Sequence, residues 1–365
     1  MRKAAVLLFA FLLFWSLALQ AEVKLNVTPY GYVKLDAVYE TGMASHGNFI
    51  LWAVDPGSSS GLFHLTANET RVGLKIAGLR VGGFDLGGKV EFDFFGGGAE
   101  NKAQPMMRHA FLMLSNGSFS ITAGQTWDII SPLIPATLNY SVQWAGGNIG
   151  YRRPQLSLRQ DFKSEKSVFS LQAGVFRTIT QDYDGDGIVD GTAAGTPMVQ
   201  GRVAVKLMFG QASVQLGLSG HYGTTSGEID LTTDSLNVDL AVVLCPRVRI
   251  QGEYFTGKNL GQFLGGIVQE VSDGREIRAS GFFANLIADL SDRIQISVGY
   301  GMDDPEDEDL IDGMRSKNTT VWGTLFYKFS KHFLVGLDLS NWETGYLNQE
   351  AQKTFRIQHS WKLVF

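Results

Sequence analysis

TFRIQHSWKLVF, residues 354–365, ends the chain. Phe355, Ile357, Trp361, Leu363 and Phe365 share one parity, while Arg356, Gln358, Ser360 and Lys362 share the other. Successive side chains of a strand point to opposite faces, so the segment has one greasy face and one wet face, interrupted by His359. A strand half-buried in a soluble sandwich carries the same pattern as one that crosses a membrane. The choice between them rests on how often the pattern recurs, at what length and with what connections.

It recurs about sixteen times, near 30–39, 70–77, 88–95, 108–115, 119–125, 154–162, 167–176, 201–209, 213–222, 235–244, 248–255, 275–287, 294–301, 319–329, 333–341 and 354–365. These lengths approach the roughly 9–11 residues that carry a tilted strand across a bilayer. Connections after the odd segments are mostly long: 40–69, 96–107, 126–153, 177–200, 223–234, 256–274, 302–318 and 342–353. Those after the even segments are mostly short, such as SNGS (115–118), KSEK (163–166), FGQA (209–212) and FSKH (329–332). Long loops at one end and short turns at the other mark an outer-membrane barrel, and an even count returns both chain ends to the short-turn side.

The faces agree. Val33, Leu35, Ala37 and Tyr39 oppose Lys34 and Asp36; Val90, Phe92 and Phe94 oppose Lys89, Glu91 and Asp93; Val203, Val205 and Leu207 oppose Arg202 and Lys206. In lipid every backbone polar group must be paired internally, which leaves only helices and closed barrels as spanning structures. The expected fold is therefore all-β, a transmembrane antiparallel barrel of about 16 strands over residues 22–365, with no separate domain.

Residues 1–21 stand apart. Arg2 and Lys3 precede AAVLLFAFLLFWSLAL and the boundary QAEV, the pattern of a secretory signal peptide cut after Ala21; a retained anchor is the alternative. Charged residues make up 18% of the chain and the net charge is −5, so nothing points to nucleic acid. The single cysteine, Cys245, excludes an intramolecular disulfide framework. The partners expected are outer-membrane lipid and lipopolysaccharide, small solutes and further copies of the chain.

Five stretches are similar to the DcaP-like outer-membrane porins: ETRVGLKI (69–76), VEFDFFGG (90–97), MRHAFLML (107–114), AGQTWDII (123–130) and YRRPQLSLRQDF (151–162). The resemblance implies a sixteen-stranded trimeric channel in the bacterial outer membrane that admits small, often anionic solutes such as dicarboxylates. It also gives the aromatic terminus a role, with Phe365 as the residue presented to the barrel assembly machinery.

The parity that faces the lumen collects Arg71, Lys75, Arg108, Arg153, Arg159, Arg202 and Lys206. Charges that line a channel set ion selectivity because low-dielectric walls focus their field, so these could form a basic wall. The plainer reading is that they pair with Glu91, Asp93 and Asp161 and satisfy one another. The connection 126–152 is too apolar to stand in water: Ile129, Ile130, Leu133, Ile134, Leu138 and Trp144 call for burial. Folded into the barrel it would narrow the pore, with Asp128 facing the basic wall; packed as a lid on neighbouring loops or subunits it would not.

DYDGDGIVDG (182–191) places Asp182, Asp184, Asp186 and Asp190 at positions 1, 3, 5 and 9 of a calcium loop, with Gly187 at the turn. Position 12 holds Ala193 instead of a bidentate Glu, so an Asp-Gly turn with solvated charges explains it equally. No other cofactor is implied. DDPEDEDLID (303–312) reads as a solvated acidic loop. Two strings imitate enzymes. GSSSG (57–61) lacks a strand-to-helix elbow around Ser59, and GFDLGGKV (83–90) has Val90 where a phosphate loop needs Ser or Thr. No Ser/His/Asp arrangement follows from His46, His64, His109 and His221. An outer-membrane hydrolase and a secreted all-β adhesin remain the competing classes; cleavage activity lost with one His would favour the first, solubility without detergent the second.

Overall fold

The computed structural model describes residues 25–365 except 56, 58–60, 99–101, 183–185 and 227–229. The signal-peptide reading of 1–21, Ser59 and Asp184 lie outside the described residues. The wall consists of β1 (Asn26–Glu40), β2 in two pieces (Leu62–Thr66 and Arg71–Val81), β3 (Phe84–Asp93), β4 (Met106–Ser115), β5 (Phe119–Trp127), β6 (Arg152–Lys163), β7 (Ser167–Phe176) and β8 (Met198–Phe209). It continues through β9 (Ala212–Thr225), β10 (Leu231–Cys245), β11 (Val248–Lys258), β12 (Arg278–Asp289), β13 (Ile294–Pro305), β14 (Arg315–Lys328), β15 (Phe333–Tyr346) and β16 (Gln349–Val364). Both pieces of β2 pair with β1, so the 17 segments of the sheet make sixteen staves.

Every neighbour is antiparallel, and β1 meets β16 from Tyr32↔Val364 to Glu40↔Arg356, which closes the sheet into a barrel. The seam ends on Gly31 and Phe365, each donating its N–H to the other's carbonyl at 3.1 Å. Nothing larger than glycine fits there, since a Cβ on residue 31 would stand 2.2 Å from the Arg71 carbonyl. Outward side chains are apolar and inward ones polar, as the alternation implies. Val33 and Leu35 are exposed while Lys34 and Asp36 are buried, and Phe355, Ile357 and Leu363 are exposed while Arg356, Gln358 and Ser360 are buried.

The sixteen expected strands are all present, but most extend further toward the long-loop end. The connections expected at 223–234 and 342–353 shrink accordingly. Leu347 and Asn348 alone join β15 to β16, with Asn348 left-handed at φ 55°. These extensions leave the apolar band, so their side chains lose the greasy alternation that marks the spanning part. The segment Leu62–Thr66, expected in a loop, pairs with the upper half of β1. GFDLGGKV begins in a hairpin: Gly82 and Gly83 form the two-residue turn at φ 56° and 84°, and the rest runs into β3.

The hydrophobic core lies inside the barrel, at the long-loop end. Ile129, Ile130 and Ile149 of the loop 128–151 pack with Leu260 and Phe263 of the loop 259–277, against Phe176, Met198 and Phe255 of the wall. Leu51 of the loop 41–61 meets Trp144, Ala145 and Ile267, and its neighbour Ile50 meets Trp342. Three long loops therefore fold inward together.

Gly31→Val is expected to disrupt the seam. On gels of unheated samples the compact folded band should weaken in favour of the unfolded one, while the same change at Gly323, whose added Cβ would meet nothing closer than 4.0 Å, should cost much less.

Candidate functional site

The three infolded loops divide the lumen into two zones. At the long-loop end the inward residues are sealed: Glu40, Asp93, Arg153, Met198, Thr233, Phe255, Asp303, Asn318 and Trp342, from nine different strands, are each 0% exposed. At the short-turn end a cavity of about 590 Å³ opens beneath the loop 128–151, lined by Arg159, Asp161, Lys163, Arg202 and Lys206 among others.

Backbone groups of the infolded loops need partners, and the inward polar residues of the wall supply them. Glu253 accepts from Leu133 N at 2.6 Å, Asn285 from Ala136 N at 2.9 Å, and Asp338 from Leu138 N at 3.2 Å and the Thr137 hydroxyl at 2.8 Å. Asp303 accepts from Gly266 N and Ile267 N at 3.1 and 3.2 Å. Asn318 donates to the carbonyls of Leu51 and Ala145, and Arg356, paired with Glu40, donates to Asn48 O at 2.9 Å. Hydrogen bonds to charged groups contribute about 1.5–3 kcal/mol each, so the wall fixes the loops firmly. None of these anchors was singled out in the sequence. Their lumen parity was visible; their partners, remote in sequence, were not.

Loop 128–151 runs across the lumen from β5 to β15 and β16, where the Leu138 carbonyl accepts from Gln358 at 2.9 Å. Ile129, Ile130, Leu138 and Trp144 are buried as expected, Leu133 is half-buried, and Ile134 stands 46% exposed. Ile134 is held in the lumen by its backbone, whose carbonyl accepts from Gln251 at 2.6 Å. Asp128 does not face a wall across the lumen. It staples the neck of its own loop, accepting from Tyr151 N at 2.8 Å and Gln200 at 2.7 Å and pairing with Arg153 at 2.8 Å.

The seven cations that could form a basic wall are split by depth, and Arg71, Arg108 and Arg159 pair with Glu91, Asp93 and Asp161 as in the plainer reading. Arg153 is sealed beneath the loops, bonded to Asp128 and, through its other nitrogens, to the Gln262 side chain at 3.0 Å and carbonyl at 3.1 Å. Arg108 is buried against Asp93 at 3.1 Å and the Tyr140 hydroxyl, and Arg71 reaches Glu91 and Asp93 at 3.4 and 3.8 Å. Lys75 lies over the Tyr30 ring at 4.8 Å. A bulge between Glu91 and Phe92 turns both Arg108 and His109 inward, which simple alternation forbids. Arg152, not foreseen beside Arg153, is buried among the rings of Trp127, Trp144 and Tyr151 at 4.2–5.6 Å.

The remaining three reach the inner cavity. Register places Arg159, Gln172 and Arg202 in one row across β6, β7 and β8, and Lys163, Val168 and Lys206 in another. Cations two strands apart are about 10 Å from each other. Arg202 is neutralised by a two-pronged pair with Asp239 at 2.7 and 3.0 Å, laid across Gly217, where a Cβ would come within 2.0 Å of the carboxylate. Arg159 pairs with Asp161 at 2.9 Å but stays 43% exposed. Lys163 donates to the Gly117 carbonyl at 2.6 Å, and among the described residues neither it nor Lys206 has an ion-pair partner.

The remaining acidic groups and histidines have local partners. Asp182 and Asp186 accept from Gly187 N and Ile188 N of their own turn, Asp190 is buried at 2% exposure, and among the described residues no three carboxylate, imidazole or thiol groups converge as a metal site. Asp303 belongs to β13, not to an acidic loop. Within that loop, Arg278 beside Asp309 holds its carboxyl below the usual range. His221 touches the hydroxyls of Ser235 and Thr233 at 2.6 and 2.8 Å and packs at a tilt against the Phe263 ring, an anchoring arrangement with no carboxylate bonded to the ring among the described residues.

Backbone strain is concentrated in the infolded loops. Ten described non-glycine residues are left-handed; Asp273 and Asn348 occupy hairpin turns that require it, and the other eight lie in 128–151 and 259–277. Each such residue costs about 1–3 kcal/mol and persists only where its surroundings enforce it.

Buried ion pairs broken on one side cost about 3–5 kcal/mol. Gly217→Ala, which displaces both Arg202 and Asp239, is therefore expected to lower the heating temperature at which the folded band disappears, whereas Ala204→Gly in the same row should lower it far less.

Comparison with known proteins agrees with this architecture. Residues 4–344 match the family model described as Gram-negative porin. No curated protein matches the sequence. Among solved structures, the outer membrane channel DcaP of Acinetobacter baumannii superposes with a TM-score of 0.77 at 18% identity, over 95% of this chain and 99% of that one. An anion-selective porin from Comamonas acidovorans gives 0.61 at 14% identity over 94% and 100%, and OmpT of Vibrio cholerae in its trimer form gives 0.59 at 13% over 93% and 99%. The chain belongs to the Gram-negative porin family and is an outer-membrane β-barrel channel.

Proposed function

We propose that this channel passes small hydrophilic solutes with a preference for anions, small dicarboxylates among them, and that it works as a homotrimer. The observation that carries the preference is the inner cavity, where among the described residues Lys163 and Lys206 form no ion pair and stand beside a half-exposed Arg159. Asp161, largely shielded and already bonded to Arg159 and Ser170, offsets only part of that charge. Fields of exposed charges on the outer loops fade over about 8–10 Å in physiological salt, whereas charges in a narrow low-dielectric lumen are screened less. The lumen cations therefore dominate selectivity despite the net charge of −5. The DcaP channel, the anion-selective porin and the trimer form of OmpT share the fold, which supports both parts of the reading.

The loop 128–151 supplies the narrowing in this reading, since it roofs the cavity with Asp128, Ile129, Pro132 and Leu133. Arg153 and Arg108 act on selectivity only through the position of that loop and its neighbours. Conduction needs no cofactor. Calcium at Asp182, Asp184, Asp186 and Asp190 rests on spacing alone; millimolar calcium should release heat of binding that Asp186→Asn reduces.

Reversal potentials in planar bilayers under a salt gradient test the preference. The wild type is expected to favour anions, and Arg159→Ala with Lys206→Ala should move the ratio toward cations by several-fold. A cation-selective wild type would remove the anion reading and leave the barrel untouched.

A further inference from the structure

We propose that the loops 128–151 and 259–277 form one gate, held shut under backbone strain, with Arg153 and Asp303 as its latches. The inference rests on the reading of the lumen as a conduction path. The two loops are joined to each other: Ala145 N bonds the Leu264 carbonyl at 2.8 Å, and Gly150 N bonds the Phe263 carbonyl at 2.9 Å. They move together or not at all.

Their closed form is one the chain resists. Val142, Ile267 and Val268 are β-branched and left-handed at φ 47–58°, a region such residues almost never adopt. Gln143, left-handed at φ 65°, also buries both polar atoms of its amide, and among the described residues neither these nor those of the Asn259 amide find a hydrogen-bond partner. A buried amide left unpaired favours any state that returns it to water.

Among the wall anchors that hold this form, two meet the points where the loops join or are strained. Arg153 bonds Asp128 of one loop and Gln262 of the other, and its guanidinium stacks at 4.0 Å on Phe263. Asp303 takes the N–H groups of Gly266 and Ile267, the second of these at a strained residue. The barrel itself needs none of this, because every strand is paired with its neighbours around the closed sheet. Strain confined to elements that can leave without breaking the wall is what a local opening requires.

Single-channel recording on the purified, reconstituted protein tests the proposal with variants of opposite expected sign. Ala145→Gly removes one methyl group and the left-handed penalty with it, and Gln143→Gly removes the unpaired amide as well. Each should cut the fraction of time spent at the larger conductance by about threefold to tenfold. Arg153→Ala and the isosteric Asp303→Asn should raise that fraction by a similar factor. A shift of the same sign from Ala145→Gly and Asp303→Asn, or no shift from any of the four, would overturn the gate. Amide exchange over the two loops reads the same equilibrium without current: slower in Ala145→Gly and faster in Asp303→Asn supports it, and equal rates overturn it. If no preparation carries current, the conduction reading fails and exchange alone decides the gate.

Discussion

The absence of water in a bilayer leaves each backbone N–H and C=O to find its partner within the protein. A sheet can meet that demand only by closing, and here the closing bonds run from β1 to β16 and finish on Gly31 and Phe365. Once the wall is closed, its outward face must be apolar and its inward face is free to be polar. Everything else about this protein follows from what the inward face does with that freedom.

It does two different things at two depths. Near the long-loop end the inward carboxylates and arginines are spent on holding loops. Glu253, Asp303 and Asp338 accept loop N–H groups, and Arg153 and Arg356 donate to loop carbonyls. This inverts the usual location of a core, which in this chain is built by loop side chains inside the mouth. Beneath the loop, on the side of β6 to β8, Arg159, Lys163 and Lys206 face open space. The same residue types thus serve as anchors or as a field source, according to whether backbone or water stands opposite.

The anchors also explain how so much strain is tolerated. Eight left-handed non-glycine residues outside the hairpin turns of the sheet strands would not persist in loops free in solution, because relaxation there costs nothing. Buried charged partners and an apolar interior make relaxation costly. Such a structure is rigid while its partners hold and changes abruptly when they fail, since packed interfaces switch rather than deform gradually.

The barrel was legible in the sequence because its constraint is local and repeated: a side-chain period of two, recurring sixteen times, with long and short connections in alternation. Even the inward and outward faces of β1, β3 and β8 could be assigned from parity alone. The apolar character of 128–151 also announced that this loop could not stand in water. What the sequence could not show was opposition across the lumen. Asp128 was expected to face the basic wall across a constriction and instead closes its own loop against Tyr151 and one residue of that wall, Arg153; Arg202, placed on the same wall with no partner named, lies against Asp239, 37 positions away, over a glycine. Nor could it show that Leu51, Trp144 and Ile267 would meet. Alternation is dictated by the bilayer and is written in neighbouring residues. Which charge meets which, and which stay bare, is decided by sixteen staves curling to bring remote residues face to face, and only the closed barrel contains that information.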